Sequence, residues 1–158
     1  MKIRNNENGF TLIEALVAMV ILTIGILTMY TMQISSIQGN STASQITTAA
    51  TAGADQIENI FAMNYDLLTD PDNDGIPGLQ DAQCCPNGND PAGIAVTGCI
   101  ARADGCAPGP EGYAIYWNVA VNQPMPATKR VVVTVARTDR GVRKNVVYEY
   151  MKAQIVQL

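Results

Sequence analysis

From Phe10 to Met32 the chain runs for 23 residues with one charged side chain, Glu14. Wound into a helix at about 1.5 Å per residue, such a run spans about 35 Å, enough for a hydrocarbon core of about 30 Å. It predicts a single membrane-crossing helix and leaves the residues after Met32 to build one modest head, too few for two ordinary domains. The rest of the composition narrows the chemistry of that head. The 158 residues include no histidine. That excludes a Ser-His-Asp triad, a Cys-His pair and any His-ligated zinc or haem. Fourteen acids against ten bases give a formal charge of −4, which argues against a surface that tracks nucleic acid phosphates throughout. No general base accompanied by a pocket is visible, so the chain does not read as an enzyme.

Before the apolar run stand Met1 to Gly9, a polar leader containing Lys2, Arg4 and Glu7. Its two basic residues predict a cytoplasmic start with the head on the other side of the membrane. The apolar run is longer than that of a secretory signal and has no A-x-A exit, so cleavage after it is not expected. The residues Gly9-Phe10-Thr11-Leu12-Ile13-Glu14-Ala15-Leu16-Val17-Ala18 resemble the class III signal of type IV pilins and type II secretion pseudopilins. The resemblance implies cleavage between Gly9 and Phe10 by a prepilin peptidase and methylation of the new amino terminus. It also implies packing against other major and minor pilins through the retained helix. The protein would then sit in the inner membrane as a single pass with its head in the periplasm before joining an extracellular pilus. Glu14 is the residue through which the family pairs one subunit with the amino terminus of the next. A carboxylate in an apolar helix is expensive unless partnered, which fits a charge neutralised only on correct docking.

Beyond Met32 the apolar positions Ile46, Ala50, Ala54, Ile57, Ile60 and Phe61 recur at helical spacing, and no proline interrupts Phe10 to Tyr65. The pattern predicts one long helix, its first half (10–32) for membrane and filament core and its second (33–65) as the spine of the head. Gly39-Asn40-Ser41 is its weakest point. From Tyr113 the period changes to two, and Tyr113 to Asn122, Val131 to Arg137 and Val142 to Tyr150 read as three antiparallel strands, with Thr138-Asp139-Arg140-Gly141 as a turn. The expected fold class is α+β, a pilin-like long helix packed on a small antiparallel sheet spanning 113–153.

Residues 66–112 separate helix from strands and hold all four cysteines and six of the eight prolines. A bare loop of that length is improbable in a compact domain, and two features could fix it. One is Asp70-Pro71-Asp72-Asn73-Asp74-Gly75-Ile76, followed by Asp81. The carboxylates fall at positions one, three, five and twelve of an EF-hand-style loop, Gly75 allows the turn at six, and Ile76 offers a carbonyl at seven. This predicts a structural Ca²⁺, although Asp at twelve is short, Pro77 is unusual and no exit helix follows. The other is Cys84, Cys85, Cys99 and Cys106, for which disulfides are the default outside the cytoplasm. A bridge between adjacent cysteines is strained, which leaves Cys84-Cys99 with Cys85-Cys106, or Cys84-Cys106 with Cys85-Cys99.

Charge is segregated as well. Asp55 to Glu111 contains ten acids and only Arg102, whereas Lys129, Arg130, Arg137, Arg140, Arg143 and Lys144 face only Asp139. Alternation along strands puts these cations on both faces, which favours subunit contact or solvated charge over a nucleic-acid patch. Three readings follow: a minor pilin that takes part in pilus assembly, a minor pseudopilin of type II secretion, and a filament-tip adhesion or DNA-binding module.

Overall fold

The computed structural model describes residues 10–139 and 141–154 of the chain. Helix α1 covers Leu12–Ala62, and a single-turn 3-10 segment follows at Tyr65–Leu67. The helix runs unbroken through Gly39-Asn40-Ser41. Strands β1 (Gly105–Pro108), β2 (Ala114–Val121), β3 (Thr128–Asp139) and β4 (Val142–Ala153) form one sheet in that order, every neighbouring pair antiparallel. The fold is α+β, a long amino-terminal helix packed on a small antiparallel sheet. The chain divides into two compact units between Ala43 and Ser44.

In the first unit every described residue from Phe10 to Ala43 is exposed. Its best 18-residue window has a mean hydropathy of 2.4, long and apolar enough to cross a membrane. The hydroxyls of Thr23, Thr28 and Thr31 donate to the carbonyls of Val20, Ile24 and Thr28, each at 2.8 Å. These threonines therefore carry no unmet donor into an apolar surrounding.

In the second unit the carboxyl-terminal part of α1 lies on the sheet. The buried positions are Ala49, Ala52, Gly53, Gln56 and Ile60, spaced three or four apart. This differs from the stripe expected from the apolar residues: Ile46 and Phe61 are exposed and Ala54 faces outward. The sheet supplies the bulk and the helix supplies the room. Tyr148 packs so closely over Gly53 that a Cβ there would collide with its ring. Val131, Val133 and Val135 from β3, Ile115 and Val119 from β2, and Ile60 complete the core. Tyr113 and Tyr148 donate their hydroxyls to the carbonyls of Gln45 and Ala50 on α1, at 2.9 and 3.2 Å.

Three strands were expected and four are present. The extra strand, Gly-Cys-Ala-Pro, has no β-branched residue and no alternation. It is created by pairing with β2, Gly105 opposite Trp117 and Pro108 opposite Ala114, a long-range partner that local propensity does not reveal.

Candidate functional site

The amino-terminal segment is the first candidate. Thr11 offers its carbonyl to the amides of Glu14 and Ala15, at 3.1 and 3.2 Å, and so opens the helix. Glu14 falls in the first turn, where a carboxylate interacts favourably with the positive end of the helix dipole. Around it Phe10, Leu12, Ile13, Leu16 and Val17 are all at least half exposed, a bare apolar surface with one charge. Gly9, the other half of the expected cleavage site, lies outside the described residues.

The second candidate is the segment between helix and sheet, and its backbone is closely tied. Cys84 is bonded to Cys99 and Cys85 to Cys106, the first of the two pairings left open by the sequence. Cys84 and Cys85 are both buried. Cys106 lies on β1, so the second disulfide anchors the loop to the edge of the sheet. Asn118, only 2% exposed on β2, holds both ends of the segment. Its Nδ2 donates to the carbonyl of Asp81 at 2.7 Å, and its Oδ1 accepts from the amide of Asp104 at 3.2 Å. Asp104 in turn accepts the amide of Val119 at 2.6 Å. Burial pushes the Asp104 carboxyl up to about 7, against the pull of that hydrogen bond, and the charges of Asp70, Asp72 and Asp74 push the same way.

Within this frame Asp70, Asp72 and Asp74 bring carboxylate oxygens within 4.8 Å of one another. The turn that gathers them needs positive φ at Asn73 and Gly75, 56° and 60°, values that asparagine and glycine tolerate best. Asp70 Oδ2 accepts the Gly75 amide at 3.1 Å, and its Oδ1 is shielded from solvent without a partner. The Asp74 carboxylate lies against Gly78, where a Cβ would collide with it. Partial burial, then the charges of Asp72, Asp81 and Asp70, raise the Asp74 carboxyl to about 6. Asp81 stands outside the tight cluster, its own carboxyl raised by burial and by Asp72. The Ile76 carbonyl accepts the Leu79 amide at 3.3 Å, and the 3-10 turn Pro77–Gln80 stands where an EF-hand would have its exit helix.

The cations grouped by the sequence as one basic hairpin serve separate internal contacts. Lys129 is buried, donates to the carbonyls of Tyr65 and Leu68 at 2.6 Å each, and lies 4.1 Å from the centre of the Tyr65 ring. Its register partner on β4, Lys152, donates to the carbonyls of Ile60, Phe61 and Met63. Helix α1 has no basic residue in its own last turn. Lys152 reaches over from the sheet to the last carbonyls of α1 and its negative dipole end, while Lys129 holds the 3-10 turn that follows. Arg130 pairs with Glu149 at 2.7 Å. Arg137 lies over the Tyr113 ring and Lys144 donates to Gln45 Oε1 at 3.2 Å. Arg143 donates to the carbonyl of Ala82 and lies over Tyr116. Arg140 is outside the described residues. The roles of Lys129 and Lys152 were missed because their partners lie more than sixty residues away in sequence.

Residues 4–30 match the family model described as the prokaryotic N-terminal methylation motif. Comparison with curated proteins and with solved structures returns no match. The matched segment carries a type IV pilin-like signal. With the helix-on-sheet architecture behind it, the chain is supported as a type IV pilin-like or pseudopilin-like protein. Its motif and exposed apolar helix suit membrane anchoring and interaction with other pilins and a prepilin peptidase.

Proposed function

We propose that this protein is a minor pilin, of the PilV type, which takes part in priming and assembly of a type IV pilus after cleavage between Gly9 and Phe10. The observation that carries the reading is the methylation motif over residues 4–30 on a helix whose apolar face is wholly exposed and interrupted by Glu14 alone. An apolar surface of that kind needs lipid before assembly and neighbouring helices afterwards, and Glu14 selects the register in which its charge is met. The role is structural: the protein packs and positions other subunits and transforms no substrate. The inner membrane holds it first, head in the periplasm, and the filament afterwards.

The test follows Glu14→Leu in the native host. Wild-type chain is expected in sheared filaments at low stoichiometry, and the variant is expected to be processed yet left in the membrane. Equal entry of both chains into filaments overturns the role given to Glu14. A processed wild-type chain that never leaves the membrane fraction favours the type II secretion pseudopilin instead.

A second element of the reading concerns the acidic turn. We propose that Asp70, Asp72 and Asp74 hold a structural Ca²⁺, with Asp81 and the Ile76 carbonyl as further candidate ligands. The partnerless, solvent-shielded Asp70 Oδ1 beside two more carboxylates supports it, since hard cations take such oxygen sets. A bound Ca²⁺ would neutralise these carboxylates, and the chain's own contribution is to gather them on the Asn73-Gly75 turn. Calcium is expected to slow amide exchange across residues 70–81 in the full chain, and Asp72→Asn is expected to abolish that response. Identical exchange with and without calcium contradicts the proposal.

A further inference from the structure

The sheet has two unlike edges. Strand β1 is four residues long and ends on Pro108, which has no N–H, a common way to close an edge to pairing. Strand β4 is twelve residues long, contains no proline and, among the described residues, has β3 on one side only. Beyond the Asp139↔Val142 pair the two strands are joined by just two residues. In such a hairpin the flanking pair exchanges both hydrogen bonds, and bonded pairs then alternate. The even-numbered residues of β4 therefore spend their backbone groups on β3. The odd-numbered ones, Arg143, Asn145, Val147, Glu149 and Met151, aim N–H and C=O outward. The side chains of Arg143, Asn145, Val147 and Glu149 also line a groove of 720 Å³ on the sheet face away from α1, walled by Leu79 and Gln83. Val147 and Met151 are each more than half exposed.

We propose that this edge docks an extended, acidic segment of another protein, which adds to the sheet as a strand beside β4. Main-chain hydrogen bonds would supply affinity and alternate side chains selectivity. The choice of an acidic partner rests on charge: Arg143 lines the groove, Lys144 and Lys152 stand on the other face of β4, and the one acid of the strand, Glu149, is already paired with Arg130. The segment from Asp55 to Glu111 is strongly acidic, so the same partner is repelled elsewhere on the head and steered to this edge. A second copy is a poorer occupant, because its β1 offers four residues and a proline and its β4 carries the same excess of cations, three against Glu149. The proposal goes beyond the assembly reading and does not depend on it.

The experiment measures amide exchange at β4 in the full chain in detergent micelles, with three synthetic eight-residue probes. The first alternates glutamate and valine, the second alternates lysine and valine, and the third is the glutamate peptide N-methylated at every residue. The odd-numbered amides are expected to exchange freely alone and about tenfold more slowly with the glutamate peptide. The lysine peptide is expected to protect them far less and the N-methylated peptide not at all. Val147→Pro removes an outward N–H while leaving the ladder to β3 intact, and is expected to abolish protection. Should that variant lose its fold, Arg143→Glu is expected to reverse the preference between the first two peptides. Equal protection by the glutamate and lysine peptides overturns the proposal, as does protection by the N-methylated one. Protection without peptide that grows with protein concentration also overturns it, because the occupant is then a second copy.

Discussion

The amino-terminal part of α1 and its carboxyl-terminal part solve opposite problems with the same backbone. Between Phe10 and Ala43 the helix is clothed in Leu, Ile, Val and Met and buries none of them. Between Ser44 and Ala62 it is poorer in large apolar side chains and buries Ala49, Ala52, Gly53, Gln56 and Ile60. A helix that needs an outside partner carries its own bulk, whereas one with a sheet already laid against it makes room. The lesson is that hydrophobicity read along a helix predicts burial only when the size of what lies opposite is known.

The largest effect expected from breaking this contrast is in the loop that joins helix to sheet. Removing the Cys85-Cys106 bridge by a double serine substitution is expected to lower head stability by about 3 kcal/mol, read as the change in denaturant midpoint of the full chain in micelles. The same denaturation should leave the helical signal of the amino-terminal part largely in place, since its described residues, Phe10 to Ala43, are all exposed and owe nothing to the packing of the head.

Two identical substitutions sharpen the comparison directly. Gly53→Val forces a collision with Tyr148 and is expected to destabilise the head by about 2 kcal/mol through overpacking. Gly25→Val meets nothing within 4 Å and is expected to leave the thermal midpoint of the head unchanged. A similar loss from both would mean that the collision with Tyr148 does not set the cost.

The 3-10 turn that follows α1 depends on a borrowed cation. Lys129→Met leaves the Tyr65 and Leu68 carbonyls without their donor, and about 1 to 2 kcal/mol of stability is expected to go with it. Faster amide exchange in the 3-10 turn Tyr65–Leu67 and at Leu68 would locate the loss.

A further effect is one of pH. Asp104 titrates near 7 in the folded head against an ordinary 3.8, so the native state holds a proton that the unfolded chain has released. Its favourable contribution is complete below about pH 4 and is lost as pH rises through 7. Asp104→Asn keeps an acceptor for the Val119 amide and removes the charge. With divalent cations chelated, the variant is expected to match wild type near pH 4 and to melt higher at pH 8. Equal melting temperatures at pH 8 would contradict the buried-carboxyl account.

The features legible in the sequence are those whose cause is local. The apolar run with Glu14, the absence of proline to Tyr65 and the β-branched run Val131-Val132-Val133 each announce an element by period or composition. Strand β1 announced nothing, because Gly105 to Pro108 become a strand only beside Trp117 and Ala114. The disulfide pairing was narrowed to two by the strain of an adjacent bridge, and the path of the loop decides between them. The buried stripe on α1, the hold of Lys152 on its last carbonyls and that of Lys129 on the turn after it are set by residues from distant strands, which no window along the helix contains. In the acidic turn, the spacing of Asp70, Asp72 and Asp74 was readable, while the use of the Ile76 carbonyl by Leu79 was not.

The central claim is that the amino-terminal helix, once freed of its leader, carries this protein into a filament. The measurement that tests it most directly is intact mass with amino-terminal sequencing of the native chain, taken from sheared filaments and from membranes of the same cells. The account predicts a chain that begins at a methylated Phe10 and occurs in the filament fraction. A chain that keeps Met1 and Lys2, or one absent from filaments after processing, would contradict it.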